Sequence, residues 1–167
     1  MTIEFTKMQG LGNDFVVIDG VRQAIELTRE QVGRLADRHL GVGCDQLLVA
    51  EPCAEPDIDF RFRIYNADGG EVEQCGNGAR AFARFVLDKG LTDKTDIRVL
   101  TAGGPMSLHV APDGLVSVNM GVPTFEPAEI PFDAPSRQST YTLDLGGEMI
   151  EVSALAIGNP HAVQEVE

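Results

Sequence analysis

A run of helix-forming residues from Gly76 to Lys89 carries apolar side chains on almost every side. Ala79, Phe82, Ala83 and Val86 fall on one stripe at helical spacing, while Ala81, Phe85 and Leu87 lie off it. A helix of this kind has little polar surface to give to water, so the sequence predicts burial on more than one side. Gly90 supplies its stop. The rest of the chain must therefore provide cover for a central helix.

That cover reads mainly as strand. Glu4 to Asp19 is a β-rich opening broken at Gly10-Leu-Gly12-Asn13-Asp14, after which Phe15-Val-Val-Ile18 is branched and apolar. Gln46-Leu-Leu-Val49 reads as a short strand. Ile58, Phe60, Phe62 and Ile64 alternate with Asp59, Arg61, Arg63 and Tyr65, which predicts a strand with one buried face. Asn66 to Gly70 is a turn by composition. Thr28 with Gln31 three residues on reads as a capping box. Val32, Leu35, Ala36 and Leu40 follow at helical spacing, and Gly41 is the expected stop. Arg98 to Met120 reads as three short strands in an antiparallel meander. Pro123, Pro127, Pro131 and Pro135 then mark a linker or a strap. Thr140 to Ile157 reads as a hairpin. The segment Ile157-Gly158-Asn159-Pro-His-Ala-Val163 echoes Leu11-Gly12-Asn13-Asp-Phe-Val-Val17 at a constant offset of 146 residues, three of seven positions being identical.

Chemistry concentrates where the apolar helix begins. Gln74-Cys75-Gly76-Asn77-Gly78-Ala-Arg80 sets a thiol at the positive end of the helix dipole, a position that favours the thiolate. The free amides of Gly76, Asn77 and Gly78 make an anion site suited to a carboxylate, and glycine lets a ligand approach the backbone. Such a cysteine can act as a nucleophile, as in the anion-cradling loops of cysteine phosphatases and sulfurtransferases, although the spacing is one residue short of that pattern. It can equally act as an acid and base on a carbon beside a carboxylate. His39, His109 and His161 carry no local signature of a Cys-His nucleophile pair. Asn13 and Asn66, taken alone, read as turn residues. Cys44 and Cys53 read as structural, and no metal site is expected.

Charge excludes several classes. Thirteen Lys and Arg against 26 Asp and Glu leave a formal net charge of −13 over the 167 residues, which disfavours both nucleic acid and anionic membranes as partners. No apolar run approaches the roughly 18 residues of a membrane span. Three cysteines fit neither a disulfide framework nor a paired metal motif, so the chain reads as a reduced, cytoplasmic protein.

Five blocks occur in one order: Lys7-Met-Gln-Gly-Leu-Gly-Asn-Asp-Phe15, Gly41-Val-Gly-Cys-Asp-Gln-Leu-Leu48, Tyr65-Asn-Ala-Asp-Gly69, Gln74-Cys-Gly-Asn-Gly-Ala-Arg80 and Gly158-Asn-Pro-His161. Together they resemble the diaminopimelate epimerase family, pyridoxal-independent enzymes of lysine and peptidoglycan-precursor synthesis. The resemblance implies an α+β fold in which a mixed, mostly antiparallel sheet wraps a central buried helix, with a second pseudo-symmetric half. It implies a two-base reaction interconverting LL- and meso-diaminopimelate, with Cys75 as one of two cysteines on opposite faces of the α-carbon. Asn13, Gln46, Asn66, Asn77 and Asn159 match positions that bind the substrate's polar ends, and Gly76 matches one that offers its backbone N–H. His161 matches a histidine beside the catalytic centre. Amide side chains suit this task, because they bind ammonium and carboxylate without adding net charge beside a thiolate. No cofactor is implied, the partner is the small-molecule substrate, and intact family members pair as homodimers.

The chain departs from the family in one respect. The second cysteine belongs to a Cys-Gly block in the second half, and no cysteine follows Cys75 here. Residues 1–120 are expected to form the half carrying the first cysteine. Residues 121–167 read as a linker and opening strands of a second, incomplete half, with exposed edges that favour association. The chain then reads as truncated, and unable to epimerise alone. A proline-racemase-type isomerase, or an amino-acid-binding half-module without turnover, are the alternative readings.

Overall fold

The computed structural model describes residues 2–166. Its first unit, Met1–Asn119, is built on a seven-stranded sheet whose spatial order follows the sequence. β1 (Phe5–Gly10) and β2 (Asn13–Asp19) form an antiparallel hairpin. Its two loop residues, Leu11 and Gly12, both have positive φ (56° and 84°), the geometry that matches the twist of paired strands. β3 (Gln46–Glu51) runs parallel to β2, and β4 (Phe60–Asn66) runs antiparallel to β3. β5 (Asp96–Thr101) is parallel to β4, and β6 (Gly104–Val110) and β7 (Val116–Asn119) complete an antiparallel meander.

A parallel join cannot be closed by a tight turn, and each of the two here carries a helix. α1 (Arg29–Ala36) crosses between β2 and β3, and α2 (Gly76–Asp88) between β4 and β5. Val32 and Ala36 of α1 pack with Val16, Ile18, Leu47, Val49 and Tyr65. The alternate residues face α2: the rings of Phe62 and Phe60 lie 4.2 and 6.1 Å from that of Phe82. β2 and β3 are thus buried on both faces, which explains their nearly unbroken apolar sequences. α2 contacts β1, β2 and β3 at one end of the strand order and β6 and β7 at the other, so the sheet curls around it. Ala79, Ala81, Phe82, Ala83, Phe85 and Val86 are all buried, as the composition of this helix requires.

Four expectations need correction. α1 stops at Ala36 rather than running to Gly41. The Asp37 carboxylate accepts the backbone N–H groups of His39 and Leu40, each at 2.7 Å, and this side-chain turn replaces the next helical one. Leu40, assigned to the apolar stripe, is 85% exposed. The capping box at its start is present as expected, with Thr28 and Gln31 exchanging hydrogen bonds. β4 begins at Phe60, after a turn that holds Ile58, and Tyr65 is buried although it sits on the face opposite Ile64, because that face is covered by α1.

The second unit, Met120–Glu167, holds β8 (Tyr141–Asp144), β9 (Met149–Ile157) and β10 (Asn159–Val163) in an antiparallel sheet with β9 central. Its core is small: Ile130, Tyr141, Val152 and Ala154, with the Phe132 ring edge-on to Tyr141 at 4.7 Å. The proline-rich stretch is not a loose linker. Thr124 and Ala156 exchange backbone hydrogen bonds at 2.9 Å, Pro127–Glu129 forms a 3-10 turn, and Ile130 enters the core. The echo of the first hairpin extends to the glycine and the asparagine alone: Gly158 has φ 79° and Asn159 opens the returning strand, as Gly12 and Asn13 do, but Gly158 by itself separates the paired Ile157 and Asn159, where Leu11 and Gly12 separate Gly10 and Asn13.

Candidate functional site

Cys75 is the N-cap of α2, with extended backbone and its Sγ accepting the Gly78 N–H at 3.2 Å. A side-chain acceptor here satisfies one of the amides that the first turn leaves open. The backbone N–H groups of Gly76 and Asn77 form the remaining open end of the helix, half-buried beside the sulfur. Gly78 packs closely here: a Cβ would lie 3.4 Å from Cys75 Sγ and 3.3 Å from the Leu48 side chain. On the other side of the sulfur stands Asn13, the first residue of β2, with its Oδ1 3.8 Å from Sγ. The hairpin and the helix start therefore bring together two residues 62 positions apart.

Asn13 is itself held. Its Nδ2 donates to Asp45 Oδ2 at 3.0 Å, and the same oxygen accepts the Asp14 N–H at 3.0 Å. The Asp45 N–H returns the bond to Asp14 Oδ1 at 2.9 Å. Arg38 closes this ring, with Nη2 2.7 Å from both Asp14 Oδ1 and Asp45 Oδ1, and Lys7 Nζ lies 2.7 Å from Asp14 Oδ2. The Arg38 guanidinium holds the Asp14 carboxyl far below the usual carboxylate range, outweighing burial, with Lys7 adding to the effect. Asp45 is also lowered, first by the Asp14 N–H and then by the Asn13 amide. Both are carboxylates at neutral pH. Lys7, Asp14, Arg38 and Asp45 carry no mark in the sequence as a set, although three of them sit inside the family blocks.

Gln46 and Asn66 are register partners on β3 and β4, and Gln46 Nε2 donates to Asn66 Oδ1 at 3.0 Å. Gln46 Oε1 is shielded from solvent and has no partner. Asn66 opens a tight turn in which its N–H bonds Gly70 O and its carbonyl accepts from Gly69, so the turn reading of this residue is correct for its backbone. Arg80, one turn into α2, donates to Asn77 Oδ1. Arginine only donates, so the Asn77 amide nitrogen is left to face elsewhere. Gln74, next to the cysteine, has a buried and unpartnered Oε1, a feature that its sequence alone did not mark.

Asn159 and His161 lie on β10 of the second unit, where every residue of the strand is exposed. His161 Nδ1 lies 2.8 Å from the Asn159 carbonyl oxygen. Cys44 is buried among the α1 cluster, and desolvation pushes its thiol up, whereas Cys53 sits half-buried in the loop before β4. Among the described residues no group of three or more His, Cys, Asp or Glu side chains converges as metal ligands do. No helix of the described residues is long and apolar enough to cross a membrane.

Comparison with known proteins places this geometry in context. Residues 5–126 match the family model described as diaminopimelate epimerase. Curated diaminopimelate epimerases from Aromatoleum aromaticum and Nitrosospira multiformis are 61% and 60% identical over 166 residues, 99% of this chain in each case. The chain spans about 60% of the length of these relatives. Among solved structures, a probable proline racemase from Agrobacterium radiobacter K84 aligns with a TM-score of 0.71 at 20% identity, covering 99% of this chain and 52% of that one. A hydroxyproline epimerase from Agrobacterium vitis aligns with a TM-score of 0.70 at 14% identity, covering 97% and 51%. These two likenesses show the fold.

Proposed function

Because the chain belongs to the diaminopimelate epimerase family, we propose that it carries one side of a cofactor-independent epimerase site, in which Cys75 moves the α-proton of diaminopimelate in the cytoplasm. The observation that carries this reading is the sulfur at the mouth of α2, bonded by Gly78 N–H and flanked by the Asn13 amide. In the forward direction the Cys75 thiolate takes the proton from the α-carbon. The electron pair left on carbon spreads into the adjoining carboxylate, whose growing negative charge faces the open amides of Gly76 and Asn77. Asn13, Gln46, Asn66 and Asn159 bind the polar ends of the substrate, and His161 supports the catalytic centre. A thiol on the opposite face returns a proton to complete inversion, and in the reverse direction the two sulfurs exchange roles. Uncharged amides suit this site, since a fixed cation or anion beside the sulfur would favour one protonation state over the other.

In this reading residues 1–120 are the half with the first cysteine, and residues 121–167 open the second. Cysteine occurs only at positions 44, 53 and 75, and Cys44 and Cys53 are assigned no part in the reaction, so the 167-residue polypeptide by itself is not expected to invert the centre. Stereochemically pure diaminopimelate incubated with it in D2O tests this by NMR and chiral chromatography. Interconversion at the rate of a full-length relative would overturn the claim of inactivity. Binding is tested separately. Iodoacetamide should label Cys75 faster than Cys44 or Cys53, and diaminopimelate should slow that labelling while proline does not. Equal protection by proline would favour the proline-racemase-type reading, and no protection would remove the substrate assignment.

A further inference from the structure

We propose that Asp45, braced by Arg38, is a positioning residue that fixes which end of the Asn13 side-chain amide faces Cys75. This inference rests on the assignment of Cys75 as the reacting thiol. It concerns a residue outside the set that touches the substrate.

An asparagine amide presents a donor at one end and an acceptor at the other, and the two ends have nearly the same shape. What selects between them is the partner's chemistry. Asp45 is a carboxylate and can only accept, so the group 3.0 Å from its Oδ2 must be the Asn13 NH2. The amide oxygen is then forced to the opposite side, 3.8 Å from Cys75 Sγ. Sulfur consequently meets an acceptor from Asn13 and a donor from Gly78, 3.2 Å away. The thiol satisfies both at once, giving its proton to Asn13 Oδ1 and accepting from Gly78.

Asp45 is in turn unable to turn away. Its Oδ2 also takes the Asp14 N–H, its own N–H is bound by Asp14 Oδ1, and its Oδ1 is held by Arg38 at 2.7 Å. Arg38 reaches Asp14 through both terminal nitrogens, at 2.7 and 3.1 Å, a two-pronged contact that sets the plane of the guanidinium. Two carboxylates beside each other would repel, and the shared guanidinium is what lets both stay ionised. The sequence neighbours of this ring are functional on each side: Asp14 follows Asn13, and Asp45 precedes Gln46. A single charge cluster at the surface thus sets one polarity inside the site.

Asparagine at position 45 removes this selection, because an amide can receive or offer a hydrogen bond and Asn13 is free to turn its NH2 toward the sulfur. An N–H facing sulfur favours the thiolate, and an acceptor favours the thiol. The experiment measures iodoacetamide labelling rates of Cys75 in the 167-residue chain by peptide mass spectrometry. It compares Asp45→Asn, Asn13→Ala and the double variant. Asp45→Asn should raise the Cys75 rate about threefold or more with Asn13 present and leave it unchanged in the Asn13→Ala background, the non-additivity expected when one residue acts only through the other. Cys53 serves as the internal standard, and protection of Cys44 reports a retained fold. If Asp45→Asn loses that protection, Arg38→Gln replaces it, with the same direction and dependence on Asn13 expected. Asp45→Glu should keep the wild-type rate. An Asp45→Asn rate equal to wild type, or an equal change with and without Asn13, would overturn the proposal. Failure of the diaminopimelate protection assay would leave these rates unaltered, so the two readings fail independently.

Discussion

The Asn13 side chain owes its orientation to a carboxylate 32 positions along the chain, and Cys75 in turn owes its surroundings to Asn13. At this scale the cysteine itself was legible, because a thiol, two glycines and an apolar helix are contiguous in sequence and the helix end acts over one turn. The ring of Lys7, Asp14, Arg38 and Asp45 was not, since acidic and basic residues at those spacings look like ordinary surface until β2, β3 and the α1–β3 turn are brought together. Its ionisation has a consequence for stability. Asp14 and Asp45 sit below the roughly 3.9 of an unfolded aspartate, so their contribution is present above that value and is lost as pH falls through their folded values. Urea unfolding followed from about pH 7 to about pH 2 should therefore show stability falling below about pH 4 to 5, the usual window for paired carboxylates. Asp14→Asn should be less stable at neutral pH and show a shallower loss on acidification. An unchanged slope would remove Asp14 from the account.

The two helices behave differently as elements. α2 needed no tertiary information to be identified, because apolar residues occupy all of it but the stripe of Asn77, Arg80, Arg84 and Asp88, and the structure buries Ala79, Ala81, Phe82, Ala83, Phe85 and Val86 against the curled sheet. Phe82 is its main anchor, fully buried against Phe60 and Phe62. Phe82→Ala should cost about 3 to 5 kcal/mol, the range for deleting a large core ring, measured as a shift in the urea midpoint. The end of α1 was misplaced because Leu40 falls on the helical stripe, and periodicity cannot see that Asp37 offers the chain a competing turn. Gly41 then folds back so tightly that a Cβ would run into the Arg34 carbonyl oxygen and come within 2.8 Å of that of Leu35. Gly41→Ala should lower the melting temperature by several degrees, as a loss of about 1 to 3 kcal/mol does in a domain of this size. Thermal unfolding followed by circular dichroism checks it, and an unaltered melting curve would show that the turn has room to relax.

At the scale of the whole molecule the two units differ in what holds each one. The first buries both faces of its central strands, while the second rests on a core of four buried residues, with β10 exposed along its whole length. Local opening is easiest where few apolar contacts must be broken. Hydrogen exchange followed by mass spectrometry should accordingly find the amides of β8, β9 and β10 exchanging faster than those of β2, β3 and α2, and equal protection would contradict this ranking. The sequence by itself determined the buried helix, the strands that cover it, the thiol at the helix mouth and the family, because each depends on residues that are neighbours along the chain or on blocks that stay contiguous. Only the tertiary structure decided that α1 and α2 take opposite faces of one sheet, that Tyr65 is buried, and that Asp45 orients Asn13. Those depend on which strand lies beside which, a choice set by the burial of many side chains at once rather than by any local pattern.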